Sequence, residues 1–345
     1  MGSSIFIKSV NWIGDAIMTT PAIRRLRREY PAARIVVAAR PWVAPVLDDN
    51  PDINEVWIEQ PENGRGARKT LLSRLREEPF ELGIAFPNSF GSAWLLKQGG
   101  VRQRIGYARD LRAWLLTDAV KCTKAIRRVH EVHYYRNLLR VLMEIDDEGD
   151  KPQLVLPVNL DAARKVDQAL RDEGMEGDEP LIGVNPGAFF GSAKRWLPER
   201  FAAAADALAG RLDGRIVITG APNERETGEA IRALCTRPAI NLAGRLNLKG
   251  AVALIGRLRV MLTNDSGAMH IGAALGVPMV AIFGSTDWRT TYPYSDAARI
   301  VRRDTPCAPC MLRECPIDHR CMKDVSVDDV LTAAEELLAA VSMGR

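Results

Sequence analysis

The sequence predicts an α/β protein of two doubly wound, Rossmann-like domains facing a central cleft. Three observations predict it. Short apolar runs alternate with longer amphipathic segments from one end to the other, a rhythm that calls for right-handed crossovers and parallel sheets covered on both faces. The rhythm stops at a charged stretch, residues 146–151, with Pro152 and Pro157 close behind, and then restarts. The length of 345 residues is about twice that of a usual domain. The expected division is 1–155, 156–325 and a C-terminal helical segment, 326–345.

In the first domain, residues 5–10, 35–39, 55–58, 82–86 and 104–107 read as strands, and 15–30, 67–78 and 130–145 as helices. In the second, 181–185, 215–220, 259–263 and 278–283 read as strands, and 197–209, 224–234 and 249–258 as helices. A last helix, 327–340, follows a long loop. Ser326 is placed to cap it, and it has the reach to pack back on the first domain.

Charge narrows the function. Lys and Arg number 47 against 43 Asp and Glu, a net +4, too balanced for a dedicated nucleic-acid binder. Basic residues do cluster, at Arg24, Arg25, Arg27 and Arg28, and again at Arg102, Arg104, Arg109, Arg112, Lys121, Lys124, Arg127 and Arg128. An anionic acceptor or membrane surface could use them; for either cluster alone, a solvated helix face is enough. No run of about 18 apolar residues exists to span a membrane. The N-terminus enters a strand pattern without a signal-peptide core, so a cytosolic protein is expected. Cys122 and Cys235 are isolated and read as small core residues.

The most informative stretch is Thr263-Asn264-Asp265-Ser266-Gly267-Ala268-Met269-His270. It lies between an apolar strand and a small-residue helix. A strand ending in Asp-Ser-Gly and feeding a helix presents backbone N–H groups and a helix dipole to an anion. A carboxylate and an imidazole sit beside it, which suits a nucleotide or nucleotide-sugar site. The plainer alternative is that Asp265 caps the helix and His270 packs. Neither domain has the dinucleotide fingerprint: Asn11-Trp12-Ile13-Gly14-Asp15-Ala16 offers one glycine where three are needed. The loop from Asn185 through Gly187 and Gly191 to Lys194 resembles a phosphate cradle without a Walker A ending. A diphosphate held by backbone N–H groups and Lys194 remains.

One segment is unusual. Cys307, Cys310, Cys315 and Cys321 follow a C-x2-C-x4-C-x5-C spacing with His319 inside, which suits a zinc knuckle or a redox pair.

Six motifs in order carry a resemblance over nearly the whole chain. They are Gly14-Asp15-Ala16 with Thr19-Thr20-Pro21-Ala22; Pro186-Gly187-Ala188 with Gly191 and Lys194-Arg195-Trp196; Gly220-Ala221-Pro222; Asn241-Leu242-Ala243-Gly244; Asp265 to His270; and Phe283-Gly284-Ser285-Thr286-Asp287. With them the chain resembles the lipopolysaccharide heptosyltransferases, glycosyltransferases of the GT-B architecture. The resemblance implies an inverting transfer of L-glycero-D-manno-heptose from ADP-heptose to the first heptose of a Kdo-lipid A inner core. It implies no cofactor and no metal in the chemistry, and a cytoplasmic enzyme peripheral to the inner membrane.

Residue by residue, it makes Asp15 the general base. A carboxylate at a strand's carboxyl end suits that role, although Gly14-Asp15 also opens a helix and could merely cap it. It places Lys8, Asn11 and Gly14 at the acceptor. At the donor it places Gly187, Lys194, Asp265, Ser266, Gly267 and His270 around the diphosphate and sugar, Glu224 at the adenosine ribose, and Leu246 against the adenine. For the cysteines it implies a recurring loop, with Arg313 and Pro316, that has no established metal role; reduced or partly disulfide-linked thiols are expected there, and zinc stays the alternative. Two alternatives stay open: heptosyltransferases of types I or III, differing only in acceptor, and a two-lobed α/β protein that binds a ligand without chemistry.

Overall fold

The computed structural model describes residues 4–59, 65–145, 151–175 and 177–343. The chain forms two compact units, Met1–Pro157 and Val158–Arg345, each built on a six-stranded parallel sheet.

The first unit holds β1 (Ser4–Lys8), α1 (Ile13–Glu29), β2 (Arg34–Ala39), β3 (Glu55–Ile58), α2 (Arg65–Glu77), β4 (Leu82–Ala85), α3 (Phe90–Gln98), β5 (Gln103–Tyr107), β6 (Asp118–Val120) and α4 (Glu131–Asn137). Its strands run in the order β3-β2-β1-β4-β5-β6. Ile5, Phe6 and Ile7 are all buried, as expected of a central parallel strand covered on both faces. On one face Phe6, Trp57 and Phe80 pack at ring separations of 5.4–5.8 Å. Helix α1 contains Pro21 yet continues unbroken. A proline gives no N–H to the carbonyl four residues back; here the Thr20 hydroxyl donates to that carbonyl, Ile17 O, at 2.7 Å.

The second unit holds α5 (Leu160–Asp172), β7 (Leu181–Asn185), α6 (Pro198–Leu212), β8 (Arg215–Ile218), α7 (Arg225–Leu234), β9 (Ala239–Asn241), α8 (Leu248–Gly256), β10 (Leu258–Asn264), α9 (Gly267–Ala274), β11 (Met279–Phe283), α10 (Trp288–Thr291), β12 (Ala298–Arg302), α11 (Arg320–Lys323) and α12 (Val327–Met343). The order β12-β11-β10-β7-β8-β9 repeats the winding of the first sheet. The order reverses between β1 and β4 in one sheet and between β7 and β10 in the other. Such reversal points, at the carboxyl ends of the strands, are where doubly wound sheets bind ligands.

One expectation is corrected. The stretch 130–145 is not one helix: α4 ends at Asn137 and a 3-10 turn, Leu138–Val141, follows. The last helix packs on α6, β11 and β12 of its own unit. Trp196 Nε1 donates to Val325 O at 3.1 Å just before that helix, and Val330, Ala334 and Leu337 are buried. Ser326 does cap it, in a reciprocal pair with Asp329: the Asp329 N–H donates to Ser326 Oγ at 3.1 Å and the Ser326 N–H to Asp329 Oδ2 at 2.8 Å.

Candidate active site

In the second unit, β7 and β10 run side by side with Thr263 opposite Asn185, so their exit loops leave from one point. Side-chain amides tie the loops together. Asn264 Oδ1 accepts from the Trp196 N–H at 3.0 Å, and its Nδ2 donates to Pro186 O at 2.7 Å. Ser266 Oγ donates to Asn185 Oδ1 at 3.2 Å, and Asn185 Nδ2 to Thr219 O at 3.1 Å.

Asp265 is 5% exposed. Its Oδ2 accepts from Lys194 Nζ at 2.5 Å and from Thr286 Oγ1 at 2.6 Å. The carboxylate therefore holds a lysine and a threonine and is not a helix cap; the extended residue before α9 is Ser266, and it makes no side-chain cap bond. Removing one member of a buried ion pair strands the other, so each fixes its partner. An ammonium has three donors; after Asp265, two remain for an anion.

Gly187 meets Glu224 across the loop. A Cβ on Gly187 would stand 2.0 Å from Glu224 Oε1, so any side chain there must displace the Glu224 carboxylate. Glu224 is 9% exposed, and its Oε2 accepts from the Ala221 N–H at 2.7 Å, closing the turn after β8. Leu246 is half-buried. It follows Gly244, whose φ of +73° makes a turn and whose N–H donates to Gly220 O at 2.9 Å. His270 is buried in the first turns of α9, which Gly267 opens. The expected donor residues thus gather at the carboxyl end of one sheet. Thr286, Asn185 and Asn264 were missed, although Thr286 stands in a conspicuous motif directly after β11.

In the first unit, Asp15 lies in the first turn of α1, three residues beyond the extended Trp12 that starts the helix. It is not the capping residue. Helix α1 packs on α4, which begins with Glu131. Burial, together with the charge of Asp15, pushes the Glu131 carboxyl up to about 7. The buried Tyr135 hydroxyl is raised by the same two causes, burial first. Glu131 carried no motif in the sequence. Gly14 is buried, and Asn11 is exposed with its carbonyl accepting from Trp42 Nε1 at 2.9 Å. Lys8 is buried at the end of β1, paired to Glu59 at 2.7 Å; burial lowers its pKa despite that partner.

The basic clusters are partly structural. Arg112 is fully buried and donates to the Tyr107 and Ser89 carbonyls and to Ser92 Oγ. Arg24 pairs with Asp52 at 3.0 Å, and Arg27 donates to Asn54 and the Pro31 carbonyl.

Cys307, Cys310, Cys315 and Cys321 are free thiols lining one cavity of about 70 Å³ with Ser285 and His319. Burial, then its three neighbouring thiols, push Cys321 up to about 11. Among the described residues no group of three or more His, Cys, Asp or Glu side chains is placed to hold a metal ion.

A sequence model of glycosyltransferase family 9 (heptosyltransferase) matches residues 68–320. The chain belongs to this family. Lipopolysaccharide heptosyltransferase 2 of Salmonella typhimurium and that of Escherichia coli are each 33% identical over 312 residues, 86% of this chain and 87% of theirs. The solved E. coli ADP-heptose LPS heptosyltransferase II superposes with a TM-score of 0.83 at 30% identity, covering 98% of this chain and 99% of that one. A family 9 glycosyl transferase from Veillonella parvula, 24% identical, shares the fold with a TM-score of 0.85 over 98% of this chain and 97% of its own. The chain has the α/β architecture of these heptosyltransferases.

Proposed function

We propose that the protein moves L-glycero-D-manno-heptose from ADP-heptose to the first heptose of Kdo-lipid A, in one inverting displacement. The observation that supports this most is the pair of Lys194 and Asp265 at the reversal point of the second sheet. It offers a fixed cation, with donors to spare, beside a glycine-bearing loop. A departing diphosphate needs preorganised donors, and the two N–H groups that Lys194 keeps beyond Asp265 can give part of that in place of a metal.

In this reading Asp15 takes the proton from the acceptor hydroxyl, while Gly14 and Asn11 meet the acceptor. Lys8, through its Glu59 partner, steadies the end of β1. Lys194, the backbone after Gly187, and Ser266 and Gly267 receive the diphosphate, with Asp265 holding Lys194 and His270 completing the sugar end. Glu224 accepts from the ribose and Leu246 covers the adenine. The acceptor is membrane-borne, so the enzyme works at the inner face of the inner membrane as a peripheral protein; among the described residues no helix is long and apolar enough to cross a membrane.

Titration calorimetry with ADP, followed by turnover of ADP-heptose on core-truncated acceptors, tests the reading. ADP binding and transfer to the singly heptosylated acceptor are expected. Transfer only to an unheptosylated or a longer core would reassign the acceptor. No ADP binding would remove the donor site.

A further inference from the structure

Residues 304–319 have no regular structure, yet they are fastened to the donor loop. The Ala193 N–H donates to Arg313 O at 3.0 Å, and Met311 N–H to Ser285 O at 2.8 Å. His319 Nε2 lies 3.1 Å from Ala193 O. A Cβ on Gly191 would stand 2.1 Å from Arg313 O, so the glycine admits the segment. This docking sets the Arg313 guanidinium 5.5 Å from the centroid of the Phe190 ring, and Lys194 Nζ is 5.0 Å from the same centroid.

Two cations on one ring repel each other, and each gains a modest cation–π attraction that holds it there. Lys194 is already neutralised by Asp265. Arg313 is exposed and makes no ion pair among the described residues. A dianionic diphosphate meeting the Lys194–Asp265 pair alone would find no net positive charge. The second cation on the ring supplies it.

We propose that Arg313 is a second phosphate-binding residue for a nucleoside diphospho-sugar, carried to the site by the cysteine-rich segment and spaced from Lys194 by Phe190. The inference rests on the donor-site reading above. A planar guanidinium with paired donors suits a phosphate better than a point charge.

The test is calorimetry with ADP and adenosine on the full-length wild type, Arg313→Ala, Arg313→Lys and Lys194→Ala, with melting temperatures for each. Arg313→Ala should weaken ADP by roughly ten- to a hundredfold, with adenosine binding and melting unchanged, and Arg313→Lys should recover part of the loss. Wild-type ADP affinity in Arg313→Ala would overturn the proposal, as would an equal loss for adenosine, which would mean a role through the fold. If Lys194→Ala loses ADP and Arg313→Ala does not, the donor site stands and the assignment of Arg313 falls. If the wild type itself ignores ADP, the donor reading falls first.

Discussion

Lys194 Nζ and Asp265 Oδ2 sit 2.5 Å apart although 71 positions separate them in the chain. The pair joins the loop after β7 to the loop after β10, so it serves the fold and the site together. Lys194→Ala should therefore do two things: weaken ADP, and lower the melting temperature by stranding a buried carboxylate, at a cost on the order of 3 kcal/mol. Adding Asp265→Asn to Lys194→Ala should restore much of the stability but none of the ADP affinity. Thermal denaturation beside calorimetry separates the effects; a double variant that recovers both would show that the lysine does not meet the phosphates.

Gly187→Ala should destabilise the second domain by roughly 1–3 kcal/mol, because the new methyl would overlap the Glu224 carboxylate. Glu224→Ala in the same chain should relieve the overlap. Chemical denaturation of the single and double variants checks this. An additive pair would mean that the two residues do not touch.

Asp15→Asn keeps the shape of the side chain and removes its basicity. The turnover number should fall by about 10²–10⁴ with ADP affinity unchanged. Full activity in the variant would reduce Asp15 to a first-turn helix acid.

Glu131 gives the fold a pH dependence of unusual sign. Its carboxyl is held at about 7 in the folded chain against an ordinary value of 4.5. Between those values the folded state keeps a proton that the unfolded state has lost, so stability falls as pH rises through the window and levels off above about 7. Glu131→Gln should match the wild type near pH 4.5 and exceed it at pH 8 by roughly 1–3 kcal/mol. Equal melting temperatures at both pH values would place Glu131 in solvent.

Turnover should persist in EDTA, with metal analysis finding well under one zinc per chain. In the proposed mechanism Lys194 and Arg313 stand in for a metal at the diphosphate, and the cysteines play no part in the chemistry. Stoichiometric zinc with a melting temperature lowered by chelation would reassign the cysteines to a structural metal site. Loss of turnover restored by magnesium would count against the lysine's role.

Much of the fold was legible because central parallel strands are continuous apolar runs. Residues 181–185 and 279–283 are buried throughout. The edge strands β6, β9 and β12 escaped notice: they are short and partly exposed, so neither apolar runs nor alternation marks them. In the site, residue types were readable and partnerships were not. Gly187 stood in a motif and Glu224 just beyond one, but nothing local says that one is glycine because the other lies against it. Glu131 was invisible for the same reason, its significance coming only from the packing of α4 on α1.

The two sheets share one winding, so the connection after β1 and the connection after β7 occupy equivalent slots. The first spans only residues 9–12 before its helix begins, and the second spans residues 186–197. A short link leaves no room to wrap an anion and delivers a first-turn side chain, Asp15, straight to the sheet's rim. A long one can curl into a pocket of backbone amides and return with a lysine. In the proposed mechanism the division of labour between the domains follows from the length of a single linker.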